Sequence, residues 1–272
     1  MRIRRIAVLI DGGFFIKRLP RVVDGRFRGT PQAVAESARI LCKRHVQRLI
    51  GESEKTKNSR WLDHVYRLFY YDARPYDGVA HHPIANRRIE FAKTPQAQFR
   101  EELFQELRRK RKFALRLGKV TKESDWQIPA RLTKNLLKTR EWLSLLEAPL
   151  AGSDGAVPDL TEERRRSLEK LVATWKDFGE DDIALGLRQK GVDMRIGLDI
   201  TSITLKKQAD TIVLVTGDSD FVPAAKLARR EGAEFILDPM WQNVQDDLFE
   251  HIDGLVSVLR TESRDDTQEA EN

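Results

Sequence analysis

At 272 residues, 40% hydrophobic and 33% charged, the chain can bury a full core and contains no apolar run near the ~20 residues of a membrane span. One cysteine, Cys42, excludes an internal disulfide and a thiolate metal cluster. With no cleavage-site pattern after Met1, the expectation is a soluble cytoplasmic protein that does not engage the membrane. The net charge is +6, but residues 261–272 hold five acids and one base, which leaves +10 on the rest. A basic body with an acidic tail suits a polyanionic partner.

Taken in order, Ile3 to Ile10 reads as a strand that ends at Asp11-Gly12-Gly13-Phe14. Neither GxGxxG nor GxxxxGK[ST] occurs, which argues against dinucleotide-binding and P-loop enzymes. Pro31 to Ile50 has helical spacing through Val34, Ala38, Leu41, Cys42, Val46 and Leu49. Val65 to Tyr71 is a second strand. Asp72 behind it is a turn residue before Pro75 that also approaches the same sheet edge. His81 and His82 sit in an expected loop and lack a third nitrogen or sulfur ligand at metal-binding spacing.

Pro95 to Lys112 is an expected helix ending in Arg108-Arg109-Lys110-Arg111-Lys112. That cluster is either a solvated helix end or a phosphate-contacting patch. Phe113 to Val120 follows as an antiparallel or edge strand. Residues 123–180 change character, with two helices (about 130–147 and 160–177) around a Gly/Ser/Asp/Pro-rich stretch at 151–159. They are expected to form a helical insertion.

Asp181 to Lys190 reads as a short helix and Val192 to Ile196 as a strand with Asp193 inside it, where an ion pair with Arg195 is as natural as catalysis. Asp199 is expected to open the next helix. Ile212 to Thr216 is a strand apolar on both faces, followed by Gly217-Asp218-Ser219-Asp220 and a helix with Phe221, Ala224, Ala225 and Ala228 on one side. Glu234–Leu237 (strand), Gln242–His251 (helix) and Leu255–Leu259 (strand) complete the pattern. Alternating strands and helices imply a mostly parallel α/β sheet with right-handed crossovers. The expected organisation is one domain in two parts, 1–122 and 181–260, interrupted by 123–180 and ending in a disordered acidic tail at 261–272.

Asp11, Asp199, Asp218 and Asp220 thus fall at expected strand-to-helix junctions, where open α/β sheets bind ligands. Each could merely cap a helix. Gathered together they would repel one another and favour a hard cation, Mg²⁺ or Mn²⁺.

Val8-Leu-Ile-Asp-Gly-Gly-Phe14, Lys190-Gly-Val-Asp-Met-Arg-Ile-Gly-Leu-Asp199 and Thr216-Gly-Asp-Ser-Asp-Phe-Val-Pro223, in that order, resemble the NYN domain. This PIN-like nuclease family includes LabA-like bacterial proteins. The resemblance runs from Ile3 to about Leu259, with 123–180 divergent. It implies a Rossmann-like three-layer α/β/α fold and metal-dependent hydrolysis of RNA. The implied metal ligands are Asp11, Asp199 and Asp218, with Asp220 and Asp193 as alternate or supporting ligands. Where many PIN-like nucleases carry an asparagine soon after the first aspartate, this chain has Gly12-Gly13-Phe14-Phe15.

The expected partner is RNA, in single-stranded form, held by Arg108 to Lys112; DNA and a homodimer both remain open. Two other readings stand beside it. One is a non-catalytic RNA- or partner-binding module on the same fold. The other is a haloacid-dehalogenase-like phosphatase, which is weakened because Gly13 stands where a second acid is required.

Overall fold

The structure, a computed structural model, describes residues 4–56, 58–143 and 161–260. The first elements are β1 (Ile6–Asp11), α1 (Gly12–Arg18), α2 (Pro31–Leu49) and β2 (Val65–Arg74). Next come β3 (Val79–His82), β4 (Arg87–Glu90), α3 (Pro95–Arg109), β5 (Phe113–Gln127), α4 (Ala130–Leu137) and α5 (Glu162–Asp177). Last are β6 (Ala184–Lys190), α6 (Val192–Leu205), β7 (Thr211–Val215), α7 (Val222–Arg230), β8 (Glu234–Asp238), α8 (Asp246–Phe249) and β9 (Gly254–Leu255).

Ile6 to Ile10 have no exposed surface, and their side chains alternate between two cores. Ile6, Val8 and Ile10 pack with Leu41 and Val46 of α2 and with Leu103 and Phe104 of α3. Ala7 and Leu9 pack with Ile196 and Ile200 of α6 and with Ala225 and Ala228 of α7. The sheet is therefore covered on both faces, as the three-layer expectation requires. The seven strands run in the order β6-β5-β2-β1-β7-β8-β9. The pairs β1–β2, β1–β7, β2–β5, β7–β8 and β8–β9 are all parallel. From β1 the chain goes first to β2 on one side and later to β7 on the other, so a crevice opens between the carboxyl ends of β1 and β7.

The chain divides into two compact units, one of residues 1–76, 92–120 and 189–272 and one of residues 77–91 and 121–188. The second contains the antiparallel β3–β4 hairpin, α4 and α5. There the His82 ring lies 4.5 Å from that of Trp126, whose indole N–H donates to the His81 carbonyl at 2.9 Å. Both histidines are thus in a strand and not a loop.

Four local expectations are corrected. β5 runs parallel to β2, with Phe113 opposite Leu68 and Leu117 opposite Asp72, and β6 lies beyond it at the edge. Residues 184–190, expected as a helix, form strand β6. Residues 192–196, expected as a strand, open α6 after Gly191 turns the chain at φ +76°. The apparent alternation of Val192, Met194 and Ile196 lost to the helical spacing of Val192, Ile196, Ile200 and Ile203, which are all buried, while Met194 is 72% exposed. Near the carboxyl terminus the expected helix shrinks to Asp246–Phe249 and the last strand to Gly254–Leu255. The stretch 151–159 and the acidic tail lie outside the described residues.

Candidate active site

Asp11 ends the central strand and caps α1: its Oδ1 accepts the Phe14 amide at 3.1 Å. Its Oδ2 faces the Thr216 hydroxyl at 3.4 Å, and that hydroxyl accepts the Asp218 amide at 3.3 Å. Asp218 caps a single helical turn, Ser219–Phe221, by accepting the Asp220 amide at 3.0 Å. Both capping expectations thus hold alongside any further role. Gly12 is obligatory here, since a Cβ would lie 2.6 Å from the Tyr71 carbonyl oxygen and 2.6 Å from Tyr70 Cε1.

Asp199 does not open a helix; it is the eighth residue of α6, whose first turn contains Asp193. At 100° per residue the two side chains leave that helix about 120° apart, and so point in different directions. Asp199 Oδ2 accepts the Tyr71 hydroxyl at 2.8 Å and Arg116 Nε at 3.0 Å, and the Arg116 guanidinium lies over the Phe69 ring. Burial, then the Asp199 charge, holds the Tyr71 phenol well above its ordinary range. Asp72 lies within β2, is 3% exposed, and is paired with Arg100 of α3. Its carboxyl is raised by burial against the opposing Arg100 charge.

The other acids have no such compensation. Among the described residues no Lys, Arg or His forms an ion pair with Asp11, Asp193, Asp218 or Asp220. Asp11 is pushed up to about 6, first by burial and then by the Asp193 and Asp72 charges, against the lowering hydrogen bond from Phe14. Asp193 is raised by partial burial and then by Asp218 and Asp220. The electrostatic neighbours in this half of the edge are therefore Asp11, Asp193, Asp218 and Asp220, with Asp199 engaged elsewhere. The donors suit a hard cation in type and charge. Among the described residues, however, no three acids, histidines or cysteines are gathered closely enough to hold one.

A cleft of about 370 Å³ lies against Asp11 and Asp218 and is also lined by Phe14, Lys17, Gln242 and Gln245. The two glutamines were not singled out in the sequence, because only the turn after β8 brings them here. That turn is strained: Met240 and Trp241 lie at φ 47° and 61°, at a cost of about 1–3 kcal/mol each for non-glycine residues. Asp238 holds it, accepting the Met240 amide at 2.7 Å through Oδ1 and bonding buried His45 at 2.7 Å through Oδ2. Arg18 donates to the Met240 carbonyl at 2.8 Å, and the Trp241 amide donates to Ser257 Oγ at 2.9 Å.

The basic cluster Arg108 to Lys112 is not brought beside these acids. It precedes β5 at the amino-terminal end of the parallel strands, four strand residues below the level of Asp72, or on the order of 13 Å. Arg109 pairs with Glu106, Lys110 with Glu36, and the Lys112 ammonium with the Val65 carbonyl.

Residues 166–256, about a third of the chain, match the NYN domain family. The matched range contains Asp193, Asp199, Asp218 and Asp220 but not Asp11. No curated protein matches the chain. A solved structure of a protein of unknown function from Vibrio parahaemolyticus RIMD 2210633 is 15% identical, covering 97% of this chain and 98% of that one. Its TM-score against this chain is 0.39. No helix among the described residues is long and apolar enough to cross a membrane.

Proposed function

We propose that the chain is a divalent-metal-dependent ribonuclease whose site is the crevice between the carboxyl ends of β1 and β7. The observation that carries this reading is the set of four carboxylates, Asp11, Asp193, Asp218 and Asp220, that have no cationic partner among the described residues, beside two acids of the same edge that arginines neutralise. The NYN match supports the nuclease class. Mg²⁺ or Mn²⁺ attracted by the charge of these carboxylates, with Asp11 and Asp218 on the cleft as the residues that would hold it, would supply Lewis-acid stabilisation of charge at a phosphodiester.

The chain's own residues do the rest. Thr216 orients Asp11 through its hydroxyl, and the Phe14 amide holds the other carboxylate oxygen. Asp199 supports the site indirectly: its bonds to Tyr71 and Arg116 tie α6 to the sheet and so set where Asp193 projects. Lys17 and Arg18 both line the cleft; Arg18 is buried and donates to the Met240 carbonyl, so exposed Lys17 on α1 is the one placed to meet a phosphate.

A second reading, a binding module without catalysis, is favoured by the lack of any three gathered ligands among the described residues. Incubating single-stranded RNA with Mn²⁺, with EDTA and Asp218→Asn as controls, separates the two. Metal-dependent cleavage lost in both controls supports the nuclease, and metal-independent binding without cleavage supports the module.

A further inference from the structure

The cleft beside Asp11 and Asp218 has features that metal ligation does not use. Phe14 presents a half-buried ring, and Gln242 and Gln245 present two exposed amides. Phe14 and Gln242 meet at Gly217: a Cβ there would lie 2.7 Å from Phe14 Cε2 and 2.8 Å from Gln242 Nε2. The absence of a side chain at 217 is what lets ring and amide share one wall. Gln242 reaches that wall through two consecutive left-handed non-glycine residues, Met240 and Trp241, pinned by Asp238 and Arg18. Strain of this kind persists where surrounding structure enforces it, and it concentrates at ligand sites.

We propose that this cleft holds one unstacked nucleobase of the nucleic-acid strand, lying on the Phe14 ring and read along its edge by the Gln242 amide. The chemistry selects a base over a phosphate. Asp11 and Asp218 offset Lys17 and Arg18 in the lining, and Arg18 is committed to the Met240 carbonyl, so the cleft has no net positive charge to select an anion, whereas an amide offers one donor and one acceptor to a neutral edge. Aromatic stacking with edge hydrogen bonds is the common way to recognise single-stranded RNA. A glutamine amide pairs bidentately with N6 and N7 of adenine, so adenine is the base the site prefers. Lys17 on the same cleft would take the adjoining phosphate. The inference rests on the ribonuclease reading only for the polymer's identity.

The test is fluorescence anisotropy of the full chain in EDTA with labelled five-nucleotide uridine RNAs whose central base is adenine, cytosine, guanine, uracil or absent. Cleavage of the same RNAs in Mn²⁺ is followed in parallel. The expected result is roughly tenfold tighter binding of the adenine RNA than of the all-uridine RNA, a ratio that falls to about one in Gln242→Ala. Gln242 is exposed, so the variant should fold, and circular dichroism checks that. Equal affinities across the panel, no binding of any RNA, or an unchanged preference in Gln242→Ala overturns the proposal. Cleavage without base preference would leave the nuclease standing and this site wrong. Adenine preference without cleavage would mean the reverse.

Discussion

The two halves of the sheet's carboxyl edge are built from the same residue type and differ in what opposes it. On the β2–β5 side, Asp72 meets Arg100 and Asp199 meets Arg116 and Tyr71, so each acid is matched by a cation. On the β1–β7 side, Asp193 feels the charges of Asp218 and Asp220, and Asp11 is driven up to about 6 by burial and then by the Asp193 and Asp72 charges. Matched acids hold helices to the sheet. Unmatched ones leave negative charge that only a proton or an external cation can relieve. An aspartate at a strand end is therefore informative only once its partner is known.

The sharpest way to break this contrast is to compare one acid from each side. Asp218→Asn should lower RNA cleavage by at least about 100-fold. Asp199→Asn, which acts through α6, should fall in the range of roughly 10–100-fold expected of groups behind the ligands. Steady-state cleavage with Mn²⁺ titrations measures both, and a larger loss at Asp199 would move it into the ligand set.

On stability the ranking reverses. Arg100→Ala strands Asp72 in the interior and should cost about 3 kcal/mol at pH 8 by urea unfolding, whereas Asp218→Asn should change stability little. Asp11→Asn probes the unmatched side by pH. A carboxyl whose pKa rises from 3.8 to about 6 on folding favours the fold most below pH 3.8, and that stability fades as pH climbs through 6. Asparagine, which caps equally well, mimics the protonated form. In EDTA the variant should therefore gain about 3 kcal/mol over wild type at pH 8 and almost nothing at about pH 3. A gain independent of pH would contradict the assigned cause. The smallest effect is expected at the opposite edge: Arg108→Glu with Arg111→Glu should leave cleavage within about twofold, and a large loss would mean that bound RNA wraps around the sheet.

The central fold was legible because Ile6–Ile10 and Ile212–Val215 are unbroken apolar runs that only a doubly covered strand accommodates, and their terminal aspartates came with them. Asp193 was misread because five residues of apparent alternation cannot separate a strand from the start of a helix; the stripe continuing to Ile203 does. β6 escaped notice because its end, Arg188-Gln189-Lys190, is polar and exposed. The partners Arg100 and Arg116, and the approach of Gln242 to Gly217, are tertiary facts with no local signal. They decide which acids are matched and what else lines the cleft.

The most direct test of the contrast is isothermal titration of Mn²⁺ into wild type, Asp218→Asn and Asp199→Asn at pH 7.5, with cleavage of single-stranded RNA followed on the same samples. Saturable binding that disappears with Asp218→Asn, persists more weakly with Asp199→Asn, and tracks cleavage in all three is the predicted result. Binding unaffected by Asp218→Asn, or no binding and no cleavage in the wild-type chain, would contradict the assignment of the unmatched acids to a metal.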